Sequence, residues 1–203
     1  MKQKKTIIMV LCIIVLLLLG IAIAFAFLKE DKGSEMKDAE RFRQEYTQVE
    51  EDNLFVYRNA EEILSILEHG TGVVYLGFPE CPWCQSYVTY LDRVAKSLGV
   101  EKIYYYNISK DRSENTETYQ KMVSLIGDYL PYDEEGKHRI YAPSIICLNQ
   151  GEIVGFDDET AWDTKGCDTP EEYWTEEEVK DLEQRLTGMI QQTLNNVCTD
   201  CNK

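Results

Sequence analysis

Between residues 53 and 197 the sequence predicts an α/β fold: a mostly parallel central sheet, helices on both of its faces, and an antiparallel hairpin at its C-terminal edge. Three observations predict it. Apolar runs of strand length alternate with segments whose apolar residues recur at three- and four-residue steps, and that alternation sets successive strands side by side and parallel. Late in the chain two apolar runs flank the tight turn "NQG", which leaves no room for a helix and makes that pair antiparallel. The pattern then closes on a long amphipathic helix. The order is β-α-β-α-β-α-β-β-α.

Each element carries its own signals. "NLFVY" (53–57) is a short strand. "NAEEILSILEHG" (59–70) is a helix with Asn59 as N-cap, Ile63, Leu64 and Leu67 on one face, and Gly70 just past its end. "GVVYLGF" (72–78) is an unbroken apolar run, suited to a strand covered on both faces. The next helix reaches about Leu98, with Cys84, Tyr87, Val88, Leu91, Val94, Ala95 and Leu98 at helical spacing and Gly99 ending it. "EKIYYYNIS" (101–109) is the third strand. "NTETYQKMVSLIGDYL" (115–130) is the third helix, with Tyr119, Met122, Val123, Ile126 and Leu130 on one side and Pro131 as its stop. "IYAPSIICLNQGEIVGF" (140–156) contains the hairpin. After a charged loop (157–174), Thr175 and Glu178 form a capping box, and Val179, Leu182, Leu186, Met189, Ile190, Thr193 and Val197 line the last helix.

The chain has 203 residues, enough for one domain with a core plus an appendage. Its 36 acidic residues against 21 basic ones give a net charge of −15, with no basic stripe, which argues against nucleic-acid binding. The N-terminus is a separate object. "MKQKK" (1–5) is basic, and Thr6–Leu28 is uncharged. About twenty residues at helical rise cross a bilayer core, whereas secretory h-regions usually run about 7–15. Residues 6–28 therefore read as one transmembrane helix, a signal-anchor. "AFA" at 24–26 is the feature that would instead favour cleavage. Lys2, Lys4 and Lys5 would hold the N-terminus in the cytoplasm and put the remainder outside a single-pass cell-membrane protein. Cys12 follows Leu11 deep in the apolar run and reads as a passive residue of the span. Residues 29–52 are rich in charge and read as a solvated stalk, part of it helical. Residues 198–203 form a tail beyond the domain.

Six of the seven cysteines fall in the expected extracytoplasmic part, where disulfides form and persist. Two stand in "FPECPWCQ" (78–85), where a buried strand hands over to a helix. A pair at this spacing can hold a metal, form a static bridge or pass electrons. A zinc site needs about four ligands; the chain has two histidines, His69 and His138, and no second cysteine pair near in sequence, so neither metal nor cofactor is expected. With Cys81 as N-cap, Pro82 takes the first helical position, where its missing N–H costs little. Cys84 lies one turn in. The helix N-terminus offers unpaired N–H groups and positive partial charge, which favour a thiolate on Cys81.

In this context the chain resembles the thioredoxin-like family over about residues 53–197. "YLGFPECPWCQ" looks like that family's strand–CxxC–helix turn, and "APSIICLNQGEIVGF" like its strand opening on a cis-proline. The wording "VVYLGFPECPWCQSYVTYL" is most similar to the bacteriocin-transport accessory branch. The resemblance implies a three-layer α/β/α sandwich, a redox-active Cys81–Cys84 pair, and a cis Pro143 packed against it. Three departures stand out. The pair encloses Pro-Trp, nearer the Pro-aromatic pair of glutaredoxins than the Gly-Pro of thioredoxins. Tyr75 stands where thioredoxins bury a carboxylate, six residues before the first cysteine. The residue before Pro143 is the small Ala142.

The function implied is that of a membrane-tethered, extracytoplasmic thiol–disulfide oxidoreductase acting on exported cysteine-containing proteins. Cys81 would attack and Cys84 resolve, Pro82, Trp83, Ala142 and Pro143 would shape the substrate groove, and a membrane or thiol partner would exchange electrons. The alternative is a non-catalytic thioredoxin-like accessory or scaffold module that assists secretion of a partner. Trp83 is expected at the surface, docking a partner or shielding the sulfurs. Glu80 reads as a solvated charge or as one that raises the Cys81 pKa. His69 and His138 read as structural, and Cys147, inside "SIICL", as a buried inert thiol. The acidic loop matches no calcium-loop spacing. Cys198 and Cys201 are either an idle or structural pair or an auxiliary redox pair, with Cys167 the first partner to consider.

Overall fold

The structure is a computed structural model that describes residues 37–158 and 165–195. The expected transmembrane helix, Cys12, Val197, Cys198 and Cys201 lie outside the described residues. Among those described, no helix is long and apolar enough to cross a membrane.

The fold is mixed α/β. A helical stretch, α1 (37–45), precedes β1 (Phe55–Tyr57), α2 (Ala60–His69), β2 (Gly72–Gly77), α3 (Pro82–Ser97) and β3 (Ile103–Asn107). Then come α4 (Ser109–Glu114), α5 (Glu117–Ile126), β4 (Ser144–Asn149), β5 (Glu152–Asp157), α6 (Pro170–Tyr173) and α7 (Glu176–Asn195). The five strands form one sheet in the order β1-β3-β2-β4-β5.

The strand directions correct one expectation. β3 pairs parallel with both β1 and β2, but β4 runs antiparallel to β2 and β5 antiparallel to β4. The sheet is therefore evenly mixed rather than mostly parallel. The cause lies between Leu130 and Pro143, where an irregular segment carries the chain to the C-terminal end of β2, so that Ser144 enters opposite Leu76. That reversal sets Ala142 and Pro143 beside the loop that follows β2.

Side-chain alternation along the strands divides the core in two. Val73 and Tyr75 of β2, Ile103 and Tyr105 of β3, and Ile145 and Cys147 of β4 face α1, α3 and α7. Val74 and Leu76, with Ile146 and Leu148, face α2 and α5. Every strand of the sheet's centre is thus covered on both sides, as its unbroken apolar runs require. The caps behave as their chemistry dictates: Asn59 and Glu62 form a reciprocal capping box on α2, and the Thr175 hydroxyl accepts from Glu178 N–H at the start of α7.

The segment expected to be a solvated stalk is corrected over its described part. Ala39, Phe42, Tyr46 and Val49 are buried, and Phe42 stacks on Phe55 with ring centroids 3.9 Å apart. Asn53 donates to the Ala39 carbonyl at 2.9 Å, and the Tyr57 N–H donates to Asp38 at 3.1 Å. The domain therefore begins near residue 38. Its charges hid the apolar residues Ala39 and Phe42 of α1 and Tyr46 and Val49 of the turn after it.

Candidate functional site

The site grows from the junction of β2 and α3. Gly77 ends the strand, the "FPE" loop turns, and Cys81 caps the helix: its Sγ accepts from the Cys84 N–H at 3.2 Å. Pro82 occupies the first helical position, as its missing donor favours. The loop is tied down from behind by Gln85, whose side-chain amide donates to the Pro79 carbonyl at 2.8 Å and to the Glu45 carbonyl at 2.7 Å. One side chain thus fixes the loop, the helix and the end of α1 together.

Cys81 and Cys84 are both thiols here. Cys81 is 7% exposed and Cys84 fully buried, so both thiols are buried, Cys81 the less completely. Across the gap, the Ala142–Pro143 peptide bond is cis, and the Cys81 thiol donates to the Ala142 carbonyl at 3.7 Å. The structure therefore brings Cys81, Cys84, Ala142 and the buried Pro143 together, while Pro82 is exposed beside them.

The two thiols are pushed in opposite directions. A hydrogen bond from the Cys84 thiol lowers the Cys81 pKa; the Cys84 and Trp83 backbone N–H groups and the charge of Arg112 act the same way, against the effect of burial. Cys84 is pushed well above the ordinary thiol value, first by burial and then by its hydrogen bond to Cys81 and by the charge Cys81 carries when ionised. The hydrogen bond explains both directions: as Cys81 ionises, Cys84 must keep its proton to donate it.

Trp83 is corrected from exposed to half-buried. Its ring meets Tyr173 of α6 edge-on, with centroids 5.4 Å apart at 86°. Next to it, Trp174 donates its indole N–H to Ser86 Oγ at 3.0 Å. The α6 segment thus walls one side of the cysteine loop. Glu80 is exposed, consistent with a solvated charge. His69 is an exposed helix-end residue near Glu68, and His138 bonds through Nδ1 to the Leu130 carbonyl; both are remote from the thiols in their bonding. Cys147 is buried in β4, and burial pushes its thiol up to about 12. Cys167 is half-buried in the segment before α6.

Arg112 and the α6 wall were missed in sequence. "SKDRSE" has no apolar period, and a four-residue helix has none to show, so neither carries a local signal. Among the described residues no group of His, Cys, Asp and Glu is arranged to hold a metal ion. Compared with protein-family models, with curated proteins and with solved structures, the chain matches none.

Proposed function

We propose that the chain is a thioredoxin-like thiol–disulfide oxidoreductase, tethered to the membrane through residues 6–28 and acting outside the cell on exported proteins with cysteines. The observation that carries this reading is the asymmetry of the pair: a Cys81 at the helix N-cap whose pKa is lowered, and a fully buried Cys84 one turn in whose pKa is raised. A static bridge has no use for that asymmetry, whereas two-step exchange needs it. In the first step the Cys81 thiolate attacks one sulfur of a substrate disulfide. A Cys81–substrate bond forms and the other substrate sulfur leaves as thiolate. In the second step the Cys84 thiolate attacks Cys81, the Cys81–Cys84 bond forms, and the second substrate sulfur leaves. The substrate is reduced and the pair oxidised; run backwards, the same steps oxidise a substrate dithiol. Ala142 and Pro143 stand where an approaching chain would lie against Cys81. The resemblance of the CPWC turn and of the strand opening on Pro143 supports the three-layer sandwich and the bacteriocin-accessory branch.

The test is a trap. With Cys84→Ser in cells, attack proceeds and release does not, so mixed disulfides with exported proteins should accumulate. Cys81→Ser should form few. A Cys81→Ser variant that traps more partners than Cys84→Ser contradicts the assignment, and two variants that trap nothing leave the scaffold reading in its place.

A further inference from the structure

Gln85 follows Cys84 on α3 and lies one turn beneath Cys81: its backbone N–H donates to the Cys81 carbonyl at 3.1 Å. Its side-chain amide reaches two more carbonyls, that of Pro79 at 2.8 Å in the cysteine loop and that of Glu45 at 2.7 Å at the end of α1. An amide NH2 has two hydrogens, so both are committed. Both partners can only accept, which assigns the nitrogen rather than the oxygen of the amide to that side.

The loop it holds is short. Residues 78–81 form a turn closed by the Cys81 N–H on the Phe78 carbonyl at 3.2 Å, with Pro79 and Glu80 at its centre. The Pro79 ring fixes φ but not ψ. That one free angle sets both the direction of the Pro79 carbonyl and the line along which Glu80 and Cys81 leave it. Holding the carbonyl therefore holds Cys81. The anchor behind it is firm, because α1 is fastened to the sheet on its own account: Asn53 donates to the Ala39 carbonyl, Asp38 accepts from the Tyr57 N–H, and Phe42 stacks on Phe55.

We infer that Gln85 is a positioning residue for the thiol chemistry: its side-chain amide ties the cysteine loop to the end of α1 and so keeps Cys81 in the N-cap geometry from which it attacks. The inference rests on the oxidoreductase reading, since a scaffold has no attack to prepare. Two contacts depend on that geometry. Cys81 Sγ accepts from the Cys84 N–H at 3.2 Å and lies 3.7 Å from the Ala142 carbonyl oxygen. The first strengthens when Cys81 ionises, because a charged acceptor bonds more strongly than a neutral one. Loop order and Cys81 charge are thereby linked, and whatever loosens the loop makes the thiolate harder to form. Gln85 itself carries no charge, so replacing it with another neutral residue tests the tie and not the field.

The experiment compares wild type with Gln85→Met, which keeps chain length and charge and removes both donors, and with Gln85→Ala. Alkylation of Cys81 against pH, resolved by peptide mass spectrometry, should keep its plateau rate in both variants. The pH of half-plateau should rise by about 0.5–1 unit, so that the rate below it falls about three- to tenfold. Attack of Cys81 on a small aromatic disulfide, read at a pH below the plateau, should slow by the same factor. An unmoved profile in Gln85→Met, in a wild type that attacks the disulfide, overturns the role of Gln85 alone, whether or not the unfolding midpoint falls. A displacement in Gln85→Ala without one in Gln85→Met shows packing by the side-chain stem and also overturns it. A wild type that attacks no disulfide overturns the oxidoreductase reading and the inference with it.

Discussion

The two faces of the sheet are made of different material. On the face carrying α2 and α5 the buried residues are aliphatic for the most part: Ile63, Leu67, Val74, Leu76, Ile146 and Leu148, with Tyr119 the one buried aromatic among the described residues. On the other, Phe42, Tyr46, Phe55, Tyr75, Tyr87 and Tyr105 form a continuous aromatic cluster, part stacked and part edge-to-face, beneath the cysteine helix. Hydrocarbon can only hold the sheet together. Tyrosine fills similar volume and also brings hydroxyls into a dry interior. The difference teaches that both faces hold the sheet together while only one also lies under the thiols, since Leu76 and Tyr75 are neighbours that point opposite ways.

Substitutions should pull the two sides apart. The largest loss is expected from Phe42→Ala, which removes the ring stacked between Tyr46 and Phe55; truncating a buried Phe costs about 3–5 kcal/mol, measured as a shift in denaturant midpoint. A loss below about 1 kcal/mol would return residues 38–52 to the status of a stalk. Leu76→Ala on the aliphatic face should cost about 2–5 kcal/mol. In the fraction that stays folded, Cys81 should alkylate at the wild-type rate. A changed rate would mean that the faces are not separable.

Tyr87→Phe is the next smaller. The Tyr87 hydroxyl donates to Asp157 at 2.6 Å, and Arg185 Nε is 3.3 Å from the other carboxylate oxygen. Losing that bond from a buried carboxylate should cost about 1–3 kcal/mol at neutral pH. A cost near zero would show that the hydroxyl adds no net stabilisation and that only the ring's packing matters.

Cys147 should give the mildest effect. Its folded pKa, about 12, is raised above the ordinary thiol value, so its stabilising contribution is whole below about pH 8.5 and is lost as pH rises toward 12. The stability gap between wild type and Cys147→Ala should therefore shrink by up to about 2 kcal/mol between about pH 8.5 and 10. A constant gap would show that only the lost methylene-sized volume matters.

What was legible in the sequence follows from which interactions are local. The Asn59 cap, the Cys81 cap with Pro82 behind it, and the "NQG" hairpin depend on residues a few positions apart, and each is where its chemistry puts it. The strand directions were less legible, because the reversal before β4 is made by an irregular segment with no periodic pattern. The helix α1 and the turn after it were legible in principle: Ala39, Phe42, Tyr46 and Val49 repeat at helical spacing, but the nine charged residues among positions 37–52 read as solvent-facing. Of the site, the cysteine pair and Pro143 could be found from motif and context. Arg112 could not, since its approach to Cys81 depends on how α4 folds back over the loop.

The measurement that tests the central claim most directly is the alkylation rate of each cysteine of the dithiol protein as a function of pH, resolved by mass spectrometry of the peptides. Cys81 should react first and reach its plateau below the ordinary thiol value, with Cys84 unreactive until well above it, because one thiolate is supported by its neighbour's proton, two backbone N–H groups and Arg112 while the other is buried. Equal profiles for the two thiols, or a Cys84 that reacts first in mild acid, would contradict the division of labour on which the proposed exchange depends.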